Sequence, residues 1–247
     1  LKSRLAPPFR LEAGERWPVI SCRRIQMSFV SRIGSIGALA LTAALFPPAS
    51  RAKPIAFAHG TTVMAEYGAG TMEELQVFYA PRFSYSIGGG YLALDSAIDG
   101  RSTDITYARL NFLAKRWNRE GSQANVFVWG GVGRANVDGD TGNHIAWNAG
   151  VQFDYETRRI YTSLKSDLHE SSNFSHRIDT LQLGLAPYEH DYDTVATWFV
   201  VQGRRYTGEI FDGTEWALLL RLFKGGKWID VGATTDGKLQ AMVMFNF

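Results

Sequence analysis

Residues 237–247 read GKLQAMVMFNF. In an extended chain Leu239, Ala241, Val243, Phe245 and Phe247 share one face. Lys238, Gln240, Met242, Met244 and Asn246 share the other. Every residue of the first face is apolar, and period two is the mark of a strand with one face in apolar surroundings. The design recurs upstream. In 143–156, Ile145, Trp147, Ala149, Val151, Phe153 and Tyr155 oppose Ala146, Asn148, Gly150, Gln152, Asp154 and Glu156. In 103–116, Ala108, Leu110, Phe112 and Ala114 oppose Tyr107, Arg109, Asn111 and Lys115. In 124–136, Val126, Val128, Gly130 and Val132 oppose Asn125, Phe127, Trp129 and Gly131. In 214–224, Trp216, Leu218, Leu220 and Leu222 oppose Glu215, Ala217, Leu219 and Arg221.

Turn residues punctuate these runs, among them Pro81-Arg82, Asp99-Gly100, Glu120-Gly121, Thr157-Arg158, Asp212-Gly213, Gly225-Gly226 and Asp236-Gly237. They predict twelve strands, near 61–68, 73–80, 83–94, 103–116, 124–136, 143–156, 159–169, 176–187, 193–205, 214–224, 227–235 and 237–247. The run 193–205 is ambiguous, because both faces are apolar around Trp198 and Phe199. Tight connections such as Pro81-Arg82, Thr157-Arg158 and Gly225-Gly226 alternate with longer polar ones such as 95–102, 137–142 and 206–213. Short turns at one end and longer loops at the other suit an up-and-down barrel, with the N-terminus at the short-turn end. A spanning strand takes about 10 residues. Twelve strands then leave connections of ordinary length, and ten is the alternative.

The N-terminal region differs in kind. Residues 1–26 are polar, basic and without periodicity, and read as an over-extended frame or a disordered tail, with Met27 as the start. From Met27, Arg32 precedes an uncharged run of 14 residues, Ile33–Phe46, which Pro47 and Pro48 end. Ser50 and Ala52 supply small residues for cleavage after Ala52. This is the layout of a secretory signal peptide over 27–52, and the run is short for a membrane-spanning helix. The body is then 53–247. Of the 26 Lys and Arg, 8 precede Lys53, and of the 24 Asp and Glu, 2 do, so the body carries 18 basic and 22 acidic residues, a net −4. That mild acidity gives no argument for a nucleic-acid partner. The one cysteine, Cys22, lies upstream of the signal, which leaves the body without a disulfide framework or a cysteine nucleophile. With 45% hydrophobic and 20% charged residues, the composition also excludes a disordered chain.

A soluble sandwich of two sheets also alternates. Three features favour a membrane barrel: nearly every strand has an apolar face, aromatics recur near strand ends, and the chain terminates in Phe247. The aromatics are Tyr67, Tyr79, Phe83, Tyr91, Trp117, Trp147, Tyr155, Trp216, Trp228 and Phe247, placed as interfacial girdles would need. In these respects the chain resembles the Gram-negative outer-membrane β-barrel class, at class level and without a characterised family. The resemblance implies an all-β, antiparallel, up-and-down transmembrane barrel in the outer membrane. It implies that Val243, Phe245 and Phe247 form the signal read by the barrel assembly machinery. It also implies outer-membrane phospholipid and lipopolysaccharide as surroundings.

Projecting the polar faces inward makes Glu66, Arg109, Lys115, Asp154, Glu156, Lys165, Asp167, Glu215, Arg221 and Asp230 candidate lumen-lining residues. Their mixed signs suit either a salt-bridge network in a closed barrel or a narrow, weakly selective pore. Candidate chemistry is thin. His169 and Ser171 share a strand face near a loop, a spacing similar to that in lipid A deacylases, and an outer-membrane lipid-modifying hydrolase would need such a serine and base. Asp167 and Asp179 are candidate acids. His169, His176, His190 and Asp191 do not converge on one metal site, since His190-Asp191 falls at the opposite end of the strands. No cofactor is implied. Gly88–Gly90 and Gly130-Gly131 lack the Lys-Ser/Thr and helix of a phosphate loop. Glycine inside a strand suits curvature or close packing against a ring such as Trp129.

Overall fold

In the computed structural model, residues 58–96, 100–140, 142–189 and 194–247 are described. The segment 27–52, read as a signal peptide, and the residues before it lie outside them. Twelve strands follow in order: β1 Gly60–Gly68, β2 Met72–Arg82, β3 Tyr85–Asp95, β4 Ser102–Arg119, β5 Ser122–Val137 and β6 His144–Thr157. Then come β7 Ile160–Ser171, β8 Ser175–Leu185, β9 Ala196–Gly208, β10 Gly213–Lys224, β11 Lys227–Thr234 and β12 Leu239–Asn246. Each pairs antiparallel with its neighbours in sequence, and β12 pairs with β1 to close one barrel. The expected all-β, up-and-down, twelve-stranded architecture is therefore observed. A two-sheet sandwich and a ten-stranded barrel are both excluded by this single closed sheet.

Closure is carried by the C-terminal stretch. Along the seam Thr62 stands opposite Asn246, Ala65 opposite Val243 and Gly68 opposite Gln240. Beyond it Thr61 N donates to Phe247 O at 2.6 Å, and Phe247 N donates to Thr61 O at 3.0 Å. On the inner face of the seam Thr62 Oγ1 donates to Asn246 Oδ1 at 2.6 Å. Both chain ends of the barrel thus lie at the end that also holds the two-residue connections 83–84, 120–121, 158–159 and 225–226. We call this the turn end. The opposite, loop end carries 69–71, 96–101, 138–143, 172–174, 209–212 and 235–238. The connection near 117–123 is tight because β4 and β5 extend to Arg119 and from Ser122.

The two faces have opposite chemistry. Outward side chains include Ile145, Val132 and Leu218, exposed at 79%, 65% and 62%. Exposed apolar residues of this kind recur from β2 to β12. Inward side chains include Arg109, Asp154, Asp167, Arg204, Arg221 and Asp230, all buried. The ambiguous β9 resolves by parity: Trp198 and Val200 point in, and Phe199 and Val201 point out.

Two expectations are corrected. Lys115 is not a lumen residue. A bulge between Leu113 and Lys115 inserts one residue into β4, so Leu113 stands opposite the inward Phe127, and Lys115 opposite the outward Val126. Lys115 is exposed on the outside, 6.0 Å from the Trp117 ring centroid, and Arg116 takes the inward place. Trp228 is not a girdle residue; it faces inward, beside Arg221.

Large rings fill the interior because glycines give them room. A Cβ on Gly150 would lie 2.3 Å from Trp129 Cζ2. Gly150, not the Gly130-Gly131 pair, is what Trp129 packs against. Gly150→Ala is therefore expected to cost about 1–3 kcal/mol by overpacking. Gly130→Ala, whose Cβ would meet only Asn148 O at 3.9 Å, should leave stability unchanged. Urea titration of the folded protein separates the two.

Candidate functional site

The interior is layered along the barrel axis. Toward the loop end lies an apolar plug that includes Leu92, Leu94, Ile105, Phe174, Tyr206 and Ile210. Toward the turn end lie Ala186, Ala196, Trp198, Val200 and Leu219, and separately Ala80, Phe127 and Trp129. Charged residues occupy the middle. There a cavity of about 120 Å³ is bordered by Glu66, Glu74, Lys165, Asp167, Arg204 and Arg221 among others.

The charges are joined in groups. Asp167 accepts from Trp129 Nε1 at 2.9 Å, and lies 3.4 Å from Arg109 Nη1 and 3.6 Å from Lys165 Nζ. The Arg109 guanidinium sits 5.0–5.3 Å from the ring centroids of Phe78, Tyr107 and Trp129. Aromatic faces thus compensate a cation taken out of water. Tyr107 OH donates to Glu74 Oε1 at 2.6 Å and accepts from Gln76 Nε2 at 3.0 Å. Arg204 pairs with Glu66 and reaches Tyr206 OH at 3.3 Å; Tyr206 OH in turn donates to Glu215 Oε2 at 3.3 Å. Arg221 grips both oxygens of Asp230, at 2.8 and 2.7 Å, between the rings of Tyr161 and Trp228. From Arg221 a chain of amides runs through Gln182 and Gln202 to Gln240, with links of 2.9, 2.6 and 2.7 Å. Asp154 accepts from Asn125 Nδ2 at 2.5 Å, and Arg116 Nε donates to Asn125 Oδ1 at 2.6 Å.

Glu66, Arg109, Asp154, Glu156, Lys165, Asp167, Glu215, Arg221 and Asp230 all project from inward register positions. The sequence reading did not single out Glu74, Arg116, Arg204 or the Gln182–Gln202–Gln240 chain. Strand parity alone would have found Arg204 and the glutamines once β9 was phased. Val243 and Phe245 face outward on β12, opposite Ala65 and Val63, and Phe247 follows them.

His169 and Ser171 are not brought together for chemistry. His169 is 2% exposed, deep in the lumen, with Nε2 3.6 Å from Asp167 Oδ1. Ser171 Oγ donates instead to the backbone oxygen of Ile145 at 3.1 Å. His176 stands directly opposite His169 and is fully buried. His190 and Asp191 lie outside the described residues. Among the described residues no three His, Cys, Asp or Glu side chains group to hold a metal ion.

A different cluster forms at the loop end, where 138–143 and 172–174 meet. Ser172 Oγ lies 3.2 Å from His144 Nδ1, and His144 Nε2 lies 2.8 Å from Asp140 Oδ2. Asn173 Nδ2 donates to Asp140 Oδ2 at 2.6 Å. Asp140 and Asn173 also border a cleft of about 480 Å³ whose floor is Val137, Phe174 and Ile210. The sequence carried a signal for it. The pairing of β6 with β7 places Ala146 opposite Ser171. Continued by two residues, that register sets His144 beside Ser172 and Asn173.

Arg221→Met leaves Asp230 buried without its guanidinium, and is expected to cost about 3–5 kcal/mol in denaturant unfolding. Lys115→Met, on the outer face, should leave the midpoint in place.

No protein-family model matches the chain, and no curated protein matches it. Among solved structures, a chain described as "Unveiling the Mechanism Behind the in-meso Crystallization of Membrane Proteins" is similar to it. The identity is 13%, the TM-score 0.38, and the match covers 76% of this chain and 83% of that one. A likeness of that size is too slight to carry an inference.

Proposed function

We propose that this protein is an outer-membrane β-barrel of a Gram-negative bacterium, delivered through a cleaved signal peptide. In this reading its interior is sealed, and it serves as a structural platform for its loop end, not as a diffusion pore. The observation that supports the membrane is the inside-out distribution of side chains. Buried Arg109, Asp167, Arg204, Arg221 and Asp230 fill the inside, while exposed Val132, Ile145, Leu164, Phe199 and Leu218 cover the outside. A soluble monomer rarely exposes an apolar surface that large. In lipid the same surface is satisfied, and closure removes the unpaired sheet edges.

The outer face is also banded. Its charges lie toward the two ends: Lys115, Arg119, Lys224 and Lys227 at the turn end, Glu73, Asp104, Arg134, Arg177 and Arg205 at the loop end. Tyr79, Trp117, Tyr155, Trp147 and Trp216 are exposed on the outer face. With the N-terminus at the turn end, that end faces the periplasm and the loops face outward, among lipopolysaccharide. Val243 and Phe245, outward on the closing strand, and Phe247 just beyond it suit the role of assembly signal. A sealed interior is supported by burial at both ends of the lumen. Phe127 and Val200 near the turn end, and Leu94 and Ile105 near the loop end, are at most 1% exposed, where a water-filled pore would wet them.

The test is a pair of measurements on detergent-purified protein. A mobility difference between boiled and unboiled samples on a denaturing gel is expected, and planar bilayers containing the folded form should show no stepwise conductance. Monomeric solubility in plain buffer would overturn the membrane reading. Discrete conductance steps would replace the sealed barrel with the narrow-channel alternative.

A further inference from the structure

We infer that Ser172, His144 and Asp140 form a hydrolytic centre for carboxylic esters at the loop-end mouth of the barrel. Asp140 and Ser172 belong to two loops and His144 opens β6, and the β6–β7 pairing holds them side by side. Serine chemistry needs a hydroxyl whose proton has somewhere to go, a base to take it, and a group that fixes the base. Each is present. Asp140 Oδ2, 2.8 Å from His144 Nε2, accepts that N–H and fixes the tautomer. Nδ1 then carries the lone pair; it lies 3.2 Å from Ser172 Oγ, whose hydroxyl donates to Asn173 Oδ1 at 3.0 Å and has only to rotate to reach the base. The order of the ring nitrogens is the reverse of the commoner arrangement, and the proton logic is unchanged. Asn173 Nδ2 donates to Asp140 Oδ2 at 2.6 Å and lies 2.9 Å from His144 Nε2, so the amide braces the carboxylate and the ring together.

The surroundings suit a substrate. The His144 side chain is 23% exposed and that of Asp140 36%, so the centre is reachable, unlike His169 in the lumen. The adjoining cleft, about 480 Å³, is of the size small ligands occupy. Its floor of Val137, Phe174 and Ile210 offers an acyl chain apolar contact. A short-chain acyl ester fits it.

The chemistry balances. Ser172 Oγ adds to the ester carbonyl carbon as its proton passes to His144 Nδ1. The carbon–oxygen bond to the alcohol breaks, and that proton leaves on the alcohol, giving acyl-Ser172. Water then adds to the acyl carbon and gives a proton to Nδ1. The acid departs as Oγ regains the proton, so one ester and one water give one acid and one alcohol. Asp140 contacts the base and not the reacting atoms, so it acts as a positioning residue.

The experiment uses the full chain, folded in detergent, with p-nitrophenyl butyrate as substrate and a fluorophosphonate as a covalent probe. Hydrolysis above the buffer rate is expected, with the probe on Ser172 by peptide mass spectrometry. Ser172→Ala and His144→Ala should lose hydrolysis while keeping the gel shift, and Ser171→Ala should keep both. Asp140→Asn should lower kcat by about 10²-fold or more with KM held, the signature of a misoriented base. A heat-modifiable barrel that neither hydrolyses the ester nor takes the probe at Ser172 would overturn the proposal. That result would reduce the cluster to a hydrogen-bonded latch between two loops, and would leave the sealed barrel standing.

Discussion

The pairing of β12 with β1 is the constraint on which the rest depends. A sheet of twelve strands has two edges, and each presents a row of unpaired N–H and C=O groups. In a hydrocarbon environment no water is available to satisfy them. The seam from Thr62–Asn246 to Gly68–Gln240, extended by the two backbone bonds between Thr61 and Phe247, removes both edges at once. Once the sheet is closed, strand parity assigns every side chain to the inside or the outside. The C-terminal residues that look most hydrophobic in the sequence, Val243 and Phe245, go outward on that last strand.

Closure then sets the problem of the interior. Twelve strands enclose more space than small side chains fill. The chain fills it with rings and guanidinium groups seated against glycines, as Trp129 is against Gly150. A buried cation without partners is costly, so Arg109 and Arg221 each have a carboxylate and aromatic faces around them, and Arg204 has Glu66 and the Tyr206 hydroxyl. Arg221 illustrates this, with Asp230 on its edge, Tyr161 and Trp228 on its faces, and Gln182 at its tip. The polar middle, with its cavity of about 120 Å³, is held between apolar layers. The loop end is freed from this packing, and there the Ser172–His144–Asp140 cluster sits at an accessible mouth.

Much of the fold was legible because period two survives almost unbroken from Gly60 to Phe247. The strands, the closing role of the last one, and the inward places of Arg109, Asp167 and Arg221 follow from parity. What was hidden has identifiable causes. Lys115 was misplaced because one inserted residue flips parity, and nothing in Leu113-Ala114-Lys115 marks a bulge. Trp228 was read as a girdle ring because an aromatic near a strand end looks alike from either face. The loop-end cluster was missed for another reason. His169 and Ser171 are neighbours in sequence, whereas His144 and Ser172 are neighbours only through the strand register. Adjacency in the chain was weighed above adjacency in the sheet.

The most direct test of this account is a cross-link across the seam. Ala65 and Val243 stand opposite each other on the outer face. With Cys22→Ser removing the only native thiol, Ala65→Cys and Val243→Cys should join under mild oxidation in the detergent-folded chain. Paired antiparallel positions lie within disulfide reach, about 5.5 Å between Cα atoms. The account predicts near-complete intramolecular bonding in the unboiled, fast-migrating form, and none when Cys is moved from Val243 to Val201 on the distant β9. Failure of the 65–243 pair to bond in folded protein, or equal bonding of the 65–201 pair, would contradict a barrel closed by its last strand.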